Sequence, residues 1–188
     1  VEESTVKLER MLQNGEIDFL LDNCNLSEEM FEQKIFRKEY LVLAVPRRFE
    51  INCKLKEFQI TAKSIRDLTF LEESVPPVDL RLFADEPFIL LKPENDTRIR
   101  AMELCRQYHF TPNKVFELDQ QMTSYNITCS GMGVSFISNT LISNVPSHSD
   151  VIYYKLDGES STRNLYFYWK RGRYFSKIMQ EFLKEACK

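Results

Sequence analysis

The sequence contains little histidine and no long apolar run. Only His109 and His148 occur among 188 residues, so metal binding or acid–base chemistry by histidine has little material. No apolar run approaches the roughly 20 residues that a membrane-spanning helix needs, and no secretory leader is visible. The net charge is only −3, which does not indicate nucleic-acid binding by this chain alone. We therefore expect no membrane partner.

The five cysteines are odd in number, widely scattered and form no CxxC pair. They are Cys24, Cys53, Cys105, Cys129 and Cys187. This pattern argues against a disulfide framework or a zinc site, and it is typical of a protein in the reducing cytoplasm. A redox sensor at Cys105 would need a resolving thiol nearby, and the neighbouring cysteines are far along the chain. We predict an inert, buried thiol at Cys105, a cytoplasmic location, no metal and no cofactor.

The first 23 residues predict a helix followed by a buried strand. Ser4 or Thr5 can cap the helix, VKLERMLQN carries an apolar stripe at helical spacing, and Gly15 supplies the left-handed residue that ends it. Residues 17–21 then form a nearly continuous apolar run, which is typical of a strand covered on both faces. A helix joined to such a strand by a short turn indicates a parallel α/β sheet.

Strands and helices alternate along the rest of the chain, which predicts an α/β fold. Strands are predicted at 40–45, 87–91, 115–118, 134–137, 151–156 and 164–169, and helices at 98–108, 124–130 and 176–186. Residues 151–156 alternate apolar and polar side chains, as an edge strand does. The last helix is predicted to bury four apolar side chains: Ile178, Met179, Phe182 and Leu183.

Five pieces of the sequence follow one another in a specific order. They are LERMLQNGEIDFLL, YLVLAVP, LFADEPFILL, CSGMGVSFIS and LYFYWKRGRYFSKIMQEFL. Their succession, which covers essentially the whole chain, resembles the effector-binding domain of the LysR-type transcriptional regulators. The resemblance implies the two-lobe fold of the type II periplasmic binding proteins, with mixed sheets flanked by helices. Two crossing strands would join the lobes, and a small molecule would bind in the cleft.

The resemblance also implies a lobe assignment. Lobe I would contain 1–45 and 162–188, and lobe II would contain 46–161, with crossings near 45–46 and 158–163. Members of the family usually form oligomers through their effector domains, so we expect a homodimer or homotetramer.

Two parts that the family usually has are not in this sequence. One is the winged helix-turn-helix with its linker helix, and the other is the first strand, helix and second strand of the module. We therefore expect a chain truncated at its N-terminus, which would contact promoter DNA only through the absent winged helix-turn-helix. Without the first strand, helix and second strand of the module, we also expect apolar surface to be left uncovered near Phe19 and Leu21.

Three helix starts provide the candidate ligand-binding residues. Each follows a strand, and the free N–H groups of a helix N-terminus favour an anion by about 0.3–1 kcal/mol. The candidates are Ser4, Thr5, Asn95, Thr97, Gln121, Thr123 and Ser124, together with Asn23 just after the first strand. The resemblance implies ligand-binding hydroxyls at Ser4-Thr5, and some aromatic-acid sensors of the family have an arginine at the position of Asn23. Helix capping alone would also explain such residues.

We therefore expect an effector-sensing regulatory domain that binds a small anionic metabolite and controls DNA-dependent transcription. A solute-binding protein of a transport system shares the fold and is the alternative, although the missing leader and the free cysteines argue against it. A third class is an enzyme on the same fold, such as a prephenate dehydratase-like or porphyrin-building enzyme. No catalytic constellation is found: Asp18 and Asp22, four residues apart, could suggest paired carboxylates, but on a strand they have no obvious partner.

Overall fold

The structure is a computed structural model, and it describes residue 1 and residues 3–187. Two compact units are present. Unit 1 is formed by the two ends of the chain, up to Glu39 and from Arg163 onward, and unit 2 is Tyr40–Thr162. The chain passes from unit 1 to unit 2 between Glu39 and Tyr40 and returns between Thr162 and Arg163. The lobe assignment stays a prediction.

Helices and strands alternate through the described residues, which confirms the predicted α/β class. The helices are α1 (Thr5–Asn14), α2 (Ile51–Lys54), α3 (Ala62–Arg66), α4 (Asp96–Gln107), α5 (Gln121–Cys129), α6 (Asn139–Asn144) and α7 (Lys177–Ala186). The strands are β1 (Leu20–Asp22), β2 (Phe31–Pro46), β3 (Gln59–Ile60), β4 (Pro87–Leu91), β5 (Asn113–Leu118), β6 (Val134–Ser138), β7 (Val151–Lys155) and β8 (Thr162–Lys170). In the described part of the chain, no helix has the length and apolar character needed to cross a lipid bilayer.

In unit 1, β1 does not have the surroundings that the sequence predicted. It pairs antiparallel with β8, with Leu21 opposite Phe167, whereas a parallel neighbour was expected. Leu21 is 46% exposed and Phe19 is only half-buried, so the strand is not covered on both faces. The reason is that β1 is short and lies at the edge of the β1-β8-β2 order, where alternate side chains face opposite sides.

The prediction for α7 is half correct. Met179 and Leu183 are buried, whereas Ile178 is 83% exposed and Phe182 is 47% exposed. Residues 178 and 182 lie about 100° around the helix from 179 and 183, so one pair faces the core and the other faces away. Phe182 keeps a partial contact, because its ring stacks on Phe19 with centroids 5.3 Å apart.

Unit 2 contains a six-stranded sheet in the order β3-β7-β2-β6-β4-β5. β4 runs parallel to β5 and β6, and β2 runs antiparallel to β6 and β7. The prediction that 151–156 forms an edge strand is wrong, because β7 lies between β2 and β3 and is almost entirely buried. The two-residue strand β3 is too short to be recognised from the sequence. The pairing of β3 along the second edge of β7 was therefore not predicted.

Candidate functional site

Unit 1 brings two of the predicted site residues together through a carboxylate. Thr5 Oγ1 donates to Asp22 Oδ2 over 2.8 Å, and the backbone N–H of Asn23 donates to Asp22 Oδ1 over 2.7 Å. Ser4 is the N-cap residue of α1, yet its exposed hydroxyl makes no capping hydrogen bond. Asp22 was weighed only as a catalytic carboxylate from the sequence, and nothing in the spacing indicated its contact with Thr5.

Unit 2 joins three helix starts through side chains. Asn95 caps α4 by accepting from Thr97 N over 2.9 Å, and Thr97 Oγ1 accepts from Gln121 Nε2 over 3.2 Å. Gln121 Oε1 in turn accepts from Ser138 N over 3.2 Å and from Ser138 Oγ over 2.9 Å. The starts of α4, α5 and α6 therefore form one connected polar set.

These helix starts meet because of the sheet topology. β4, β5 and β6 are parallel, so their carboxyl ends lie at one edge of the sheet, where α4, α5 and α6 begin. Ser138 was missed by the sequence argument. The available signal was a serine directly after a buried strand, which is the N-cap position of a following helix, and Ser138 Oγ does accept from Leu141 N.

Thr123 and Ser124 lie outside this connected set. Thr123 is exposed, whereas Ser124 is only 2% exposed. Ser124 lines, with Thr97 and Arg98, a cavity of about 10 Å³, which is at the lower limit for a single water molecule. The hydroxyl of Ser124 is thus closed off from any larger molecule in this conformation.

The polar set of unit 1 carries a negative charge. Within residues 1 and 3–187, Asp22 forms no ion pair, and the hydroxyl of Thr5 and the backbone N–H of Asn23 donate to it. An anion placed at Thr5 would therefore meet a carboxylate instead of a free donor. The hydrogen-bonded polar set of unit 2 contains only uncharged side chains. The first turn of α4 also carries Asp96, whose Oδ2 lies 3.7 Å from Arg100 Nη1. With that carboxylate paired, the N-termini of the helices favour an anion.

Two of the thiols, those of Cys24 and Cys105, are poorly suited to redox chemistry. Burial, followed by the charge of Asp22, raises the pKa of the Cys24 thiol to about 11. Burial raises the pKa of the Cys105 thiol to about 12, and this side chain is fully buried. Both thiols stay protonated at neutral pH and are weak nucleophiles. No group of three His, Cys, Asp or Glu side chains in the described residues could hold a metal ion.

Comparison with known proteins agrees with this architecture. Among curated proteins, the "Uncharacterized HTH-type transcriptional regulator YcgK" of Bacillus subtilis (strain 168) is 28% identical over 184 residues, which is 98% of this chain and 55% of that protein. This chain thus spans about half the length of that relative.

Two solved structures show the same fold at low identity. The regulatory domain of CcmR from Synechocystis PCC6803 in complex with 2-PG has a TM-score of 0.71 at 19% identity, covering 96% of this chain and 77% of that one. The effector-binding domain of BenM with its effector benzoate has a TM-score of 0.69 at 17% identity, covering 98% and 76%. The fold is therefore the periplasmic-binding-protein-like, type II fold of LysR effector-binding domains.

The family itself is identified from the sequence. The family model described as "LysR substrate binding domain" matches residues 1–187, which is nearly the whole chain. Proteins of this family are transcriptional regulators with ligand-binding domains. The chain belongs to the LysR substrate-binding-domain family.

Proposed function

We propose that this chain binds a small metabolite through its polar helix starts and thereby controls transcription from promoter DNA. The observation that carries the proposal is the connected set Thr97–Gln121–Ser138, which joins three helix starts at one sheet edge. A winged helix-turn-helix outside this chain would contact the DNA, because the curated relative is about twice as long. All five cysteines are free, which supports action in the cytoplasm.

The proposed effector is a small anion. The uncharged set of unit 2 suits a carboxylate or phosphate, since helix N–H groups bind anions without a full positive charge. Benzoate, the effector of BenM, is such an anion.

A thermal-shift screen of the chain against amino acids, organic acids and sugar phosphates tests the proposal. A binder raises the melting temperature through preferential binding to the folded form. The binder should then lose about 1–3 kcal/mol of affinity with Thr97→Val or Gln121→Leu, each of which removes a hydrogen bond near a charged group. Thr69→Val, an exposed threonine elsewhere in unit 2, is the matched control. Unchanged affinity in correctly folded Thr97→Val and Gln121→Leu would refute the assignment.

We also propose that the chain forms a homodimer or homotetramer. Large exposed apolar side chains support this, notably Ile178 and Phe182 on α7, since such surface on a folded domain is usually covered by a partner. Sedimentation velocity of the chain at high micromolar concentration should show a dimer or larger species. Ile178→Glu should shift it toward the monomer, and a pure monomer in the unsubstituted chain would refute the proposal.

A further inference from the structure

Residues 158–161, which directly precede β8 near the end of unit 2, are bound to α4. We call them the return segment, because the chain returns to unit 1 just after them. Arg100 Nε donates to the carbonyl of Ser160 over 2.9 Å, and Ser160 Oγ donates to Glu103 Oε2 over 2.7 Å. Ser160 is thus held on α4 through both its backbone and its side chain.

A third residue of α4 lies against the return segment at a glycine. Gly158 has φ 105°, and a Cβ atom there would lie 2.5 Å from Oε1 of Gln107, the last residue of α4. Residues 100, 103 and 107 are three and four positions apart, so they share one face of the helix. Within the return segment, the N–H and the hydroxyl of Ser161 both donate to the carbonyl of Gly158, over 3.0 Å and 2.7 Å. The return segment is therefore a small closed turn that one face of α4 holds in place.

The same helix begins in the polar set of unit 2. Thr97, which accepts from Gln121, lies about one turn before Arg100 on α4. Arg100 is only 6% exposed, and its Nη1 lies 3.7 Å from Oδ2 of Asp96 in the first turn of the helix. One buried guanidinium therefore contacts both the start of α4 and the return segment.

We propose that α4 couples the polar helix starts to the return segment, so that occupancy of the helix starts sets how firmly the return segment is held. This inference rests on the function proposed above. A ligand that binds the start of α4 fixes its first turn, and with it Asp96 and the guanidinium of Arg100 that donates to Ser160. Such coupling is reciprocal, so release of the return segment from α4 also weakens ligand binding.

Amide hydrogen exchange followed by NMR tests the coupling in the chain without a ligand. The two reporter amides are that of Ile99, which is hydrogen-bonded in the first turn of α4, and that of Ser161 in the return segment. Ser160→Ala removes one bond of the return segment to α4, and Thr97→Val removes the acceptor at the helix start. We expect exchange to quicken about threefold or more at Ile99 in Ser160→Ala and at Ser161 in Thr97→Val, relative to the buried amides of residues 41–45 in β2.

Matched controls and a double variant define the route of the coupling. Ser74→Ala, at another serine of unit 2 that donates to a glutamate, should leave both reporter amides unchanged. Thr69→Val, at an exposed threonine, should do the same. Asp96→Asn removes the charge beside the guanidinium that holds the return segment. Adding Thr97→Val to Asp96→Asn should therefore no longer quicken exchange at Ser161.

Three outcomes would overturn the proposal. One is that each variant changes exchange only beside its own substitution, since the contacts of Ser160 would then be purely local. Another is an equal increase at all amides, including residues 41–45, which would show a loss of global stability. The third is a Thr97→Val effect at Ser161 that persists in Asp96→Asn. The thermal-shift screen tests the proposed function separately, because the exchange experiment needs no ligand.

Discussion

Arg163 Nε donates to Glu39 Oε2 over 2.6 Å, and Arg163 Nη2 forms an ion pair with the same carboxylate. Both residues belong to unit 1: Glu39 ends its first segment, and Arg163 begins its second. Glu39 is only 4% exposed, although it follows the charged stretch FRK. The pair therefore links β2, where the chain leaves unit 1, to β8, where it returns.

Breaking this pair should destabilise the fold. Arg163→Met leaves the buried carboxylate of Glu39 without its main cation, and removal of one partner of a buried pair typically costs about 3–5 kcal/mol. Urea unfolding measures the loss. Lys7→Gln, which breaks the exposed pair between Lys7 on α1 and Glu3 before it, is the control and should change stability by less than about 1 kcal/mol. Equal, small losses in both variants would show that the Glu39 pair contributes little.

Removing one hydroxyl of a buried tyrosine pair should also weaken unit 2. The hydroxyl oxygens of Tyr125 and Tyr153 lie 2.7 Å apart, and both side chains are buried. Tyr125→Phe should cost about 1–3 kcal/mol, because the hydroxyl of Tyr153 is left without its partner. The double replacement by Phe should cost less than the sum of the two single ones. Tyr174→Phe, at an exposed ring, should have no effect in the same denaturation experiment.

The free energy of unfolding should fall as the pH rises above about 9. Burial raises the pKa of Cys105 to about 12 and that of Cys24 to about 11, from an ordinary value of 9.0. Between these values the unfolded chain loses the proton while the folded chain keeps it, so alkaline pH favours unfolding. The stability that these groups contribute is complete below pH 9 and is lost as the pH rises through the folded values.

Two replacements separate this effect from general alkaline damage. Cys105→Ala should make the decline of stability between pH 9 and 11 shallower, and Cys53→Ala, at an exposed thiol, should leave it unchanged. Iodoacetamide at pH 8 should modify Cys53 in the folded chain and Cys105 only after unfolding, as peptide mass spectrometry would show. Rapid modification of Cys105 in the folded chain would contradict the assignment of a buried, inert thiol.

A side chain at Gly133 should be poorly tolerated. A Cβ atom there would lie 2.7 Å from the carbonyl oxygen of Pro87 and 3.1 Å from Ile89 Cγ1, so the backbone of β4 or β6 would have to move. Gly133→Ala should cost about 1–3 kcal/mol in thermal unfolding, as other overpacked sites do. Gly172 has φ 70°, and a Cβ atom there would meet no other atom within 4 Å, so Gly172→Ala should cost only the left-handed strain of about 1 kcal/mol. A larger loss of stability in Gly172→Ala than in Gly133→Ala would contradict this prediction.

Much of the fold could be predicted from the sequence, because it depends on nearby residues. Gly15 ends α1 with φ 77°, Asn95 caps α4 and Ser176 caps α7, and each of these depends on hydrogen bonds to residues a few positions away. The alternation of apolar strands with helices likewise predicts the α/β class, and the order of the pieces indicates the family.

Contacts across long sequence separations could not be read from the pattern. The first half of β2 is mostly polar and exposed, so it has no apolar signature, and it is a strand because it takes part in the sheet of unit 1. The contacts of Asp22 with Thr5 and of Gln121 with Ser138 join residues 17 positions apart, which only the packing of helix on sheet brings together.

By itself, the sequence determined the order of helices and strands, the helix ends and the family, since local hydrogen bonds and apolar periodicity carry that information. Only the tertiary structure decided that β7 is internal, that Asp22 places a charge at the start of α1, and that Glu39 is buried. Glu39 and Arg163 are 124 residues apart, and no local pattern can specify a partner at that distance. Strand pairing specifies it, because hydrogen bonds between strands bring distant parts of the chain into register.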